Sequence, residues 1–303
     1  MSVLRYENVK WSVPFLFNEH IFLLNLCKVF SDVETKCPIE SVYGHIRNKW
    51  NGGDCSVSRN FNVGQVFQDL KYQNLESSID FSNYHLEESH LKDNYSNQLL
   101  DYGYSHGASF IVSSDLLYDY IKKRYPNAKC IASEVKSIYE LKDGCEVDYY
   151  KHLSDKYDKI ILPTKYVKEK FLSDVESYEN VEKFEVTVND TCLNGCPKLI
   201  EHIETIENFE LGKAKYKDYY EFCPKKGIEL IDGITKTLVL SKDELDRLVN
   251  EIGITHLRIK GFTFPMESYP EILSNYMFNT FGEFQFMANE IDDCVLRAKE
   301  QRG

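Results

Sequence analysis

From residue 108 to residue 188 short apolar segments and amphipathic segments take turns, and this alternation most limits the fold the chain can adopt. The segments 108–112, 129–132, 159–162 and 184–188 are short and apolar, as strands are. Between them, 114–125, 147–157 and 165–178 carry the longer spacing of helices. Ser114 stands at an N-cap position with Asp115 in the first turn, and Pro126 stops that helix. Strands separated by single helices do not pair as hairpins. They form a parallel sheet with right-handed crossovers.

The same reading extends outward. Further strands are expected at 11–17, 41–46, 237–240 and 255–260, the last ended by Gly261. Pro14 inside the first of these demands a bulge or a place where no ladder donor is needed. A helix over 19–30 puts Phe22, Leu23, Leu26 and Phe30 on one face. Other helices are expected at 94–102, 197–206, 211–222, 268–278 and 282–301. Ser241-Lys242-Asp243-Glu244 fits a capping box for a helix running to Ile252. Residues 65–92 show no dominant period and read as short helices and irregular structure. About eight strands over this length favour a (β/α)8 TIM-like barrel over an open doubly wound sheet. One domain spanning 1–303, with closing helices at about 268–301, is the economical organisation.

Charge and composition narrow the partners. A net charge of −12 argues against broad binding to nucleic acid or anionic lipid. The apolar runs at 21–26 and 110–112 are far too short to span a membrane, and the N-terminus lacks a signal-peptide core. Nine cysteines, an odd number without a regular framework, suit a reducing compartment, so a cytoplasmic location is expected.

The candidate site follows the strand at 184–188. Asn189-Asp190-Thr191 breaks the alternation, and Cys192 and Cys196 follow at C-x3-C spacing with Gly195 between them. Pro197 suits the first position of a helix, and His202 falls a little over one turn into it. Ligand sites in α/β folds lie at the C-terminal ends of strands, so these thiols are well placed for chemistry. Two cysteines do not complete a structural zinc or iron–sulfur site, and further ligands must come from elsewhere. The alternative is a pair of thiols packed as small hydrophobes. His202 is a metal ligand, a general acid–base, or a helix histidine bonded to a carbonyl. The loop at 51–59 carries Cys55 and Arg59, and either lends groups to a site at the strand ends or is a surface turn. Arg59 and Arg258 have the planar forks to hold an anionic substrate. Arg258 alternates with Leu257 and Ile259, which points it into the barrel; Lys260 reads as a strand-end cation. Cys27 and Cys294, on helices, read as core or surface thiols, and Cys37 carries no argument of its own. The chain has no Walker or Rossmann phosphate loop, no H-E-x-x-H and no G-x-S-x-G.

Asn189, Cys192, Cys196, Pro197 and His202, followed by Cys223-Pro224 and then the segment from Gly253 to Gly261, come in an order that resembles the collagenase-like peptidase family U-32. The segment Gly253-Ile254-Thr255-His256-Leu257-Arg258-Ile259-Lys260-Gly261 is similar to that family's G-I-x-x-F-K-I-x-G-R pattern. It departs from the pattern at Leu257 and Arg258, where the family has Phe and Lys, and at Phe262, where it has Arg. The resemblance implies a TIM-like barrel. Some relatives are peptidases; others hold a four-iron cluster on four cysteines and take part in oxygen-independent hydroxylation, which calls for an electron donor. Carried over by position, Cys192 and Cys196 would be ligands, with Cys223 and Cys55 completing a 4Fe-4S site, or Cys192, Cys196 and Cys223 holding zinc. Three functions are therefore expected in turn: a cluster-bearing barrel for redox or hydroxylation-type chemistry, a metal-dependent peptidase, and a non-catalytic binding protein with structural cysteines.

Overall fold

Eight parallel strands close on themselves: β1 Lys10–Val13, β2 Ile39–Gly44, β3 Glu76–Phe81, β4 Ser109–Val112, β5 Cys130–Ala132, β6 Lys159–Leu162, β7 Phe184–Thr187 and β8 His256–Arg258. Each pairs with the next, and β8 pairs with β1. The computed structural model describes residues 4–17, 20–32, 37–52, 63–141, 146–173, 178–215, 237–261, 269–279 and, apart from 294 and 298, 291–300. The fold is the (β/α)8 barrel that the alternation implied.

Strand residues alternate between two cores. Val13, Val42, Ile79, Phe110, Ile160, Val186 and Leu257 join the large apolar core under the helices. Tyr43, Ile111, Ile131 and Ile161 form a separate cluster inside the barrel. The helices of the outer layer are α1 His20–Asp32, α2 Val63–Tyr72, α3 Asn94–Ser105, α4 Asp115–Arg124, α5 Glu134–Glu140, α6 Glu146–Lys156 and α7 Thr164–Tyr166, the last continuing as a π-turn over Val167–Phe171. After β7 come α8 Leu199–Glu210, α9 Lys242–Asp246 with its own π-turn over Arg247–Ile252, and, after β8, α10 Tyr269–Met277. Large aromatics fill the space between sheet and helices; Trp50 meets Phe81 edge-on at 5.3 Å, and Phe81 stacks on Phe110 at 5.8 Å. Each such side chain contributes about 2–3 kcal/mol by leaving water. Among the described residues no helix is long and apolar enough to cross a membrane.

Local chemistry explains where elements stop. β1 ends at Val13 because Pro14 offers no ladder donor, so the expected strand over 11–17 is cut short. Opposite it, the register advances from Ile39 to Ser41 while β1 advances only from Trp11 to Ser12. Glu40 is therefore the extra residue of a bulge. Gly261 packs its backbone on Pro14, where a Cβ would stand 2.6 Å from the ring. The capping box is present: Ser241 Oγ accepts from Glu244 N–H at 3.2 Å, and Ser241 N–H donates to the Glu244 carboxylate at 2.6 Å.

Three further expectations need correction. The third strand lies at Glu76–Phe81, within the stretch read as irregular, because Ser78 and Asp80 are buried polar residues on its inner face and hide the apolar period. Conversely, 237–240 is not a barrel strand; Thr237 forms an antiparallel bridge with Leu193, and Leu240 N–H donates to Val188 O. The count of eight held because one omission offset one excess. α8 begins at Leu199 rather than Pro197, since Gly195 at φ +71 and a turn through Pro197 and Lys198 precede it.

The placement of α8 matters most for function. It leaves from β7, yet its residues touch the segments after β2, β3 and β5: Phe209 lies under Arg47, and Glu207 meets Asn83, Tyr84 and Tyr139. β3 stands opposite β7 in the eight-strand ring. The helix therefore lies across the C-terminal mouth of the barrel. α9 takes the outer position instead, with Leu245 in the main core.

Candidate active site at the barrel mouth

Barrel interiors are usually filled with branched apolar side chains. This one carries charge at two levels. At the N-terminal end the bulge residue Glu40 reaches Lys10 at 2.5 Å, Lys159 at 2.9 Å and His256 at 3.4 Å. Burial works against the Glu40 anion, but Lys10, Lys159 and His256 prevail and hold its pKa down at about 2. His256 is pushed down by burial and by Lys159.

Above this floor sits Arg258. Its guanidinium donates to Glu185 Oε1 at 2.9 Å and lies over the Tyr43 ring, 3.1 Å from the centroid. Only 9% of the Arg258 side chain and 3% of the Glu185 side chain reach solvent. Ser12 Oγ donates to the other Glu185 oxygen at 2.9 Å and pairs with Ser41 Oγ at 2.6 Å, while Tyr43 Oη donates to Ile259 O at 2.7 Å. Burial opposes the Glu185 anion, yet the Arg258 charge, with Lys159 and His256 behind it, holds the carboxyl below the usual carboxylate range. Asp80, on β3, is the second carboxylate near Arg258. Burial dominates there and pushes its pKa up, against His45, the Ser82 N–H at 2.9 Å and Arg258. Arg258 thus touches a carboxylate held below the usual range and also acts on one that burial pushes above it.

The rim is tied together across the strand ends. Asn189 after β7 and Lys260 after β8 exchange hydrogen bonds, Nδ2 to Lys260 O at 3.1 Å and Lys260 N–H to Oδ1 at 2.6 Å. Lys260 Nζ then reaches Glu134, at the start of α5, at 3.0 Å and Asp190 at 3.6 Å. Asp190 Oδ1 accepts from Cys192 N–H at 2.9 Å, which fastens the cysteine loop to the rim. On the far side, α8 is docked through Glu207, whose carboxylate accepts from Tyr84 N–H at 2.7 Å and Tyr139 Oη at 3.1 Å and meets His85 Nδ1 at 2.8 Å. Burial pushes the Glu207 carboxyl up, against these three partners.

The expected site residues separate into three groups. Arg258 faces the barrel interior, as its alternation implied. Cys192 and Cys196 are part-exposed on the loop after β7 and neither is in a disulfide. His202 lies in the second turn of α8, its N–H bonded to Lys198 O at 2.9 Å. Among the described residues no three His, Cys, Asp or Glu come together as a metal-holding group, so Cys192, Cys196 and His202 do not form one. Cys55, Arg59 and Cys223 lie outside the described residues. Lys260, read as a plain strand-end cation, is instead the link between β8, α5 and the cysteine loop. Asp80, Glu185 and Glu207 were missed. Glu185 had a signal: a single charge in the alternating run Phe184-Glu185-Val186-Thr187-Val188, at a position pointing inward.

No protein-family model and no curated protein matches the chain. Among solved structures it is similar to the U32 peptidase Mk0906, at 13% identity and a TM-score of 0.56, over 85% of this chain and 94% of that one. The likeness is one of fold. The U32-like barrel accords with the resemblance carried by the cysteine loop and the segment around Arg258, and it leaves the chemistry to be argued from the mouth itself.

Proposed function

We propose that the chain is a U32-like barrel enzyme that carries out a proton-transfer step at the C-terminal mouth, on a polar, carbonyl-bearing substrate held beneath α8. The observation that supports this is the trio Asp80, Arg258 and Glu185, because carboxylates driven apart in pKa by their surroundings mark acid–base assignments. Asp80 is the proton carrier: water adds to the substrate carbonyl carbon, the bond to the leaving nitrogen breaks as Asp80 gives that nitrogen its proton, and Asp80 recovers a proton from the added water. Arg258 stabilises the negative charge that develops on the substrate oxygen. Glu185 fixes the guanidinium and stays ionised throughout. The solved relative is named a peptidase, so peptide substrates are the first to try. Turnover of a peptide panel, abolished in Asp80→Asn with the fold intact, supports the reading. Turnover that persists in Asp80→Asn contradicts it.

A second reading is an iron–sulfur site in a redox or hydroxylation-type reaction, with Cys192, Cys196, Cys223 and Cys55 as ligands and an electron donor as partner. Its support is the anchoring of the cysteine loop at the mouth through Asp190 and Lys260. The described residues supply two of the thiols. Such a cluster would supply single electrons to a substrate at the mouth. Protein purified without oxygen should then hold iron and acid-labile sulfide, lost in Cys192→Ala and Cys196→Ala. Stoichiometric zinc would favour a metal-dependent hydrolase, and neither metal after anaerobic reconstitution would remove this reading.

A further inference from the structure

The C-terminal half of α1 and the approach to β2 bring two thiols together at the end of the barrel opposite the mouth. Cys27 is buried on α1, Cys37 lies part-exposed just before β2, and their sulfur atoms stand 3.9 Å apart. We infer that Cys27 and Cys37 form a dithiol site that small-molecule disulfides oxidise reversibly to an intramolecular disulfide.

Three observations support this. The sulfurs are already in contact at 3.9 Å, and a bond at about 2.05 Å requires a shift of under about 2 Å between them, which Cys37, lying before the start of β2, can supply. The two thiols are unequal: the contact with Cys27, together with the Ile39 N–H and against burial, lowers the Cys37 pKa, while the same contact and burial raise that of Cys27. Attack therefore begins at Cys37, the more exposed and more acidic thiol, and Cys27 is placed to resolve. Cys130 provides the contrast. It is fully buried, and that burial pushes its pKa up to about 12.

The exchange runs in two steps. The Cys37 thiolate attacks one sulfur of glutathione disulfide; the glutathione S–S bond breaks, and one glutathione leaves as thiolate and takes up a proton. Cys27, losing its proton, then attacks the Cys37 sulfur of the mixed disulfide, and the second glutathione leaves as thiol. Two electrons pass from the protein pair to the glutathione disulfide, and excess reduced glutathione reverses both steps.

The full chain, equilibrated with glutathione disulfide, acid-quenched, alkylated and mapped by mass, should show the Cys27 peptide joined to the Cys37 peptide. Reduced glutathione should restore both thiols. In Cys27→Ser the reaction should stop at a glutathione adduct on Cys37, and in Cys37→Ser Cys27 should remain unmodified. A stable glutathione adduct on Cys37 in the unaltered chain, or both thiols left free for alkylation, would overturn the inference. Where a serine variant does not fold, iodoacetamide rates on the unaltered chain decide. Cys37 should react at least about tenfold faster than Cys130; equal rates would overturn the assignment.

Discussion

The two ends of the barrel interior use the same residue types in opposite proportions. At the N-terminal end one carboxylate, Glu40, faces Lys10, Lys159 and His256. Nearer the mouth one cation, Arg258, lies between two carboxylates, Glu185 in contact at 2.9 Å and Asp80. A carboxylate outnumbered by cations stays charged over the whole working range of pH, and its role is to hold strands together. At the mouth Arg258 holds Glu185 below the usual carboxylate range, whereas at Asp80 burial outweighs Arg258 and pushes the pKa up. Whether ionic contacts or burial prevail at the carboxylate, rather than the mere presence of charge, separates Glu40 from Asp80.

The largest effect is expected where the shared cation loses its fixed partner. Glu185→Gln leaves the Arg258 guanidinium buried without its anion, and should cost about 3–5 kcal/mol in urea unfolding. A loss under about 1 kcal/mol would mean that Asp80 or water takes over, and the two carboxylates would then be equivalent.

At the other end, Glu40→Gln should cost about 2–3 kcal/mol, since the anion of a lowered carboxyl is lost. The acid dependence has a definite sign. With a folded pKa of about 2 against an ordinary 4.5, Glu40 contributes fully above pH 4.5, and its contribution disappears as pH falls toward about 2. The variant should unfold with a shallower acid dependence across that window; an unchanged slope would show that Glu40 is not the group locked there.

A control outside both ends is Ser241→Ala, which removes the cap of α9 and should cost about 1 kcal/mol with no change in turnover or acid dependence. Asp80→Asn should give the smallest change in stability. A carboxyl whose folded pKa is raised loses stability as pH rises above its unfolded value, so the amide should be neutral or stabilising near neutrality. Its effect falls on turnover instead. Strong destabilisation by Asp80→Asn would place Asp80 with Glu40 as a structural ion.

Much of the barrel was legible in the chain because helices and strands alternate with different periods, and because the caps and stops at Asp115, Pro126 and Ser241 agree with them. The strand carrying Asp80 was not legible. Its inner face, Ser78 and Asp80, is polar, so the buried polar residues it brings to the barrel interior also remove the apolar signal of a strand. Arg258 could be turned inward from its neighbours Leu257 and Ile259, but its partners could not be read, since they come from β2, β3 and β7 and meet only when the sheet closes. The cysteine loop was visible as a motif. That Asp190 and Lys260 fasten it to the rim, and that α8 then spans the mouth to dock through Glu207, depends on contacts across the barrel that no local pattern encodes.

The most direct test of the account is a carbon-13 carboxyl NMR titration of the folded chain, with the signals assigned through Asp80→Asn and Glu185→Gln. The account predicts that Asp80 titrates above the ordinary aspartate value of 3.8 and Glu185 below the ordinary glutamate value of 4.5. Asp80 titrating at or below 3.8 would contradict it, because Arg258 would then hold both carboxylates ionised and no proton carrier would remain at the mouth.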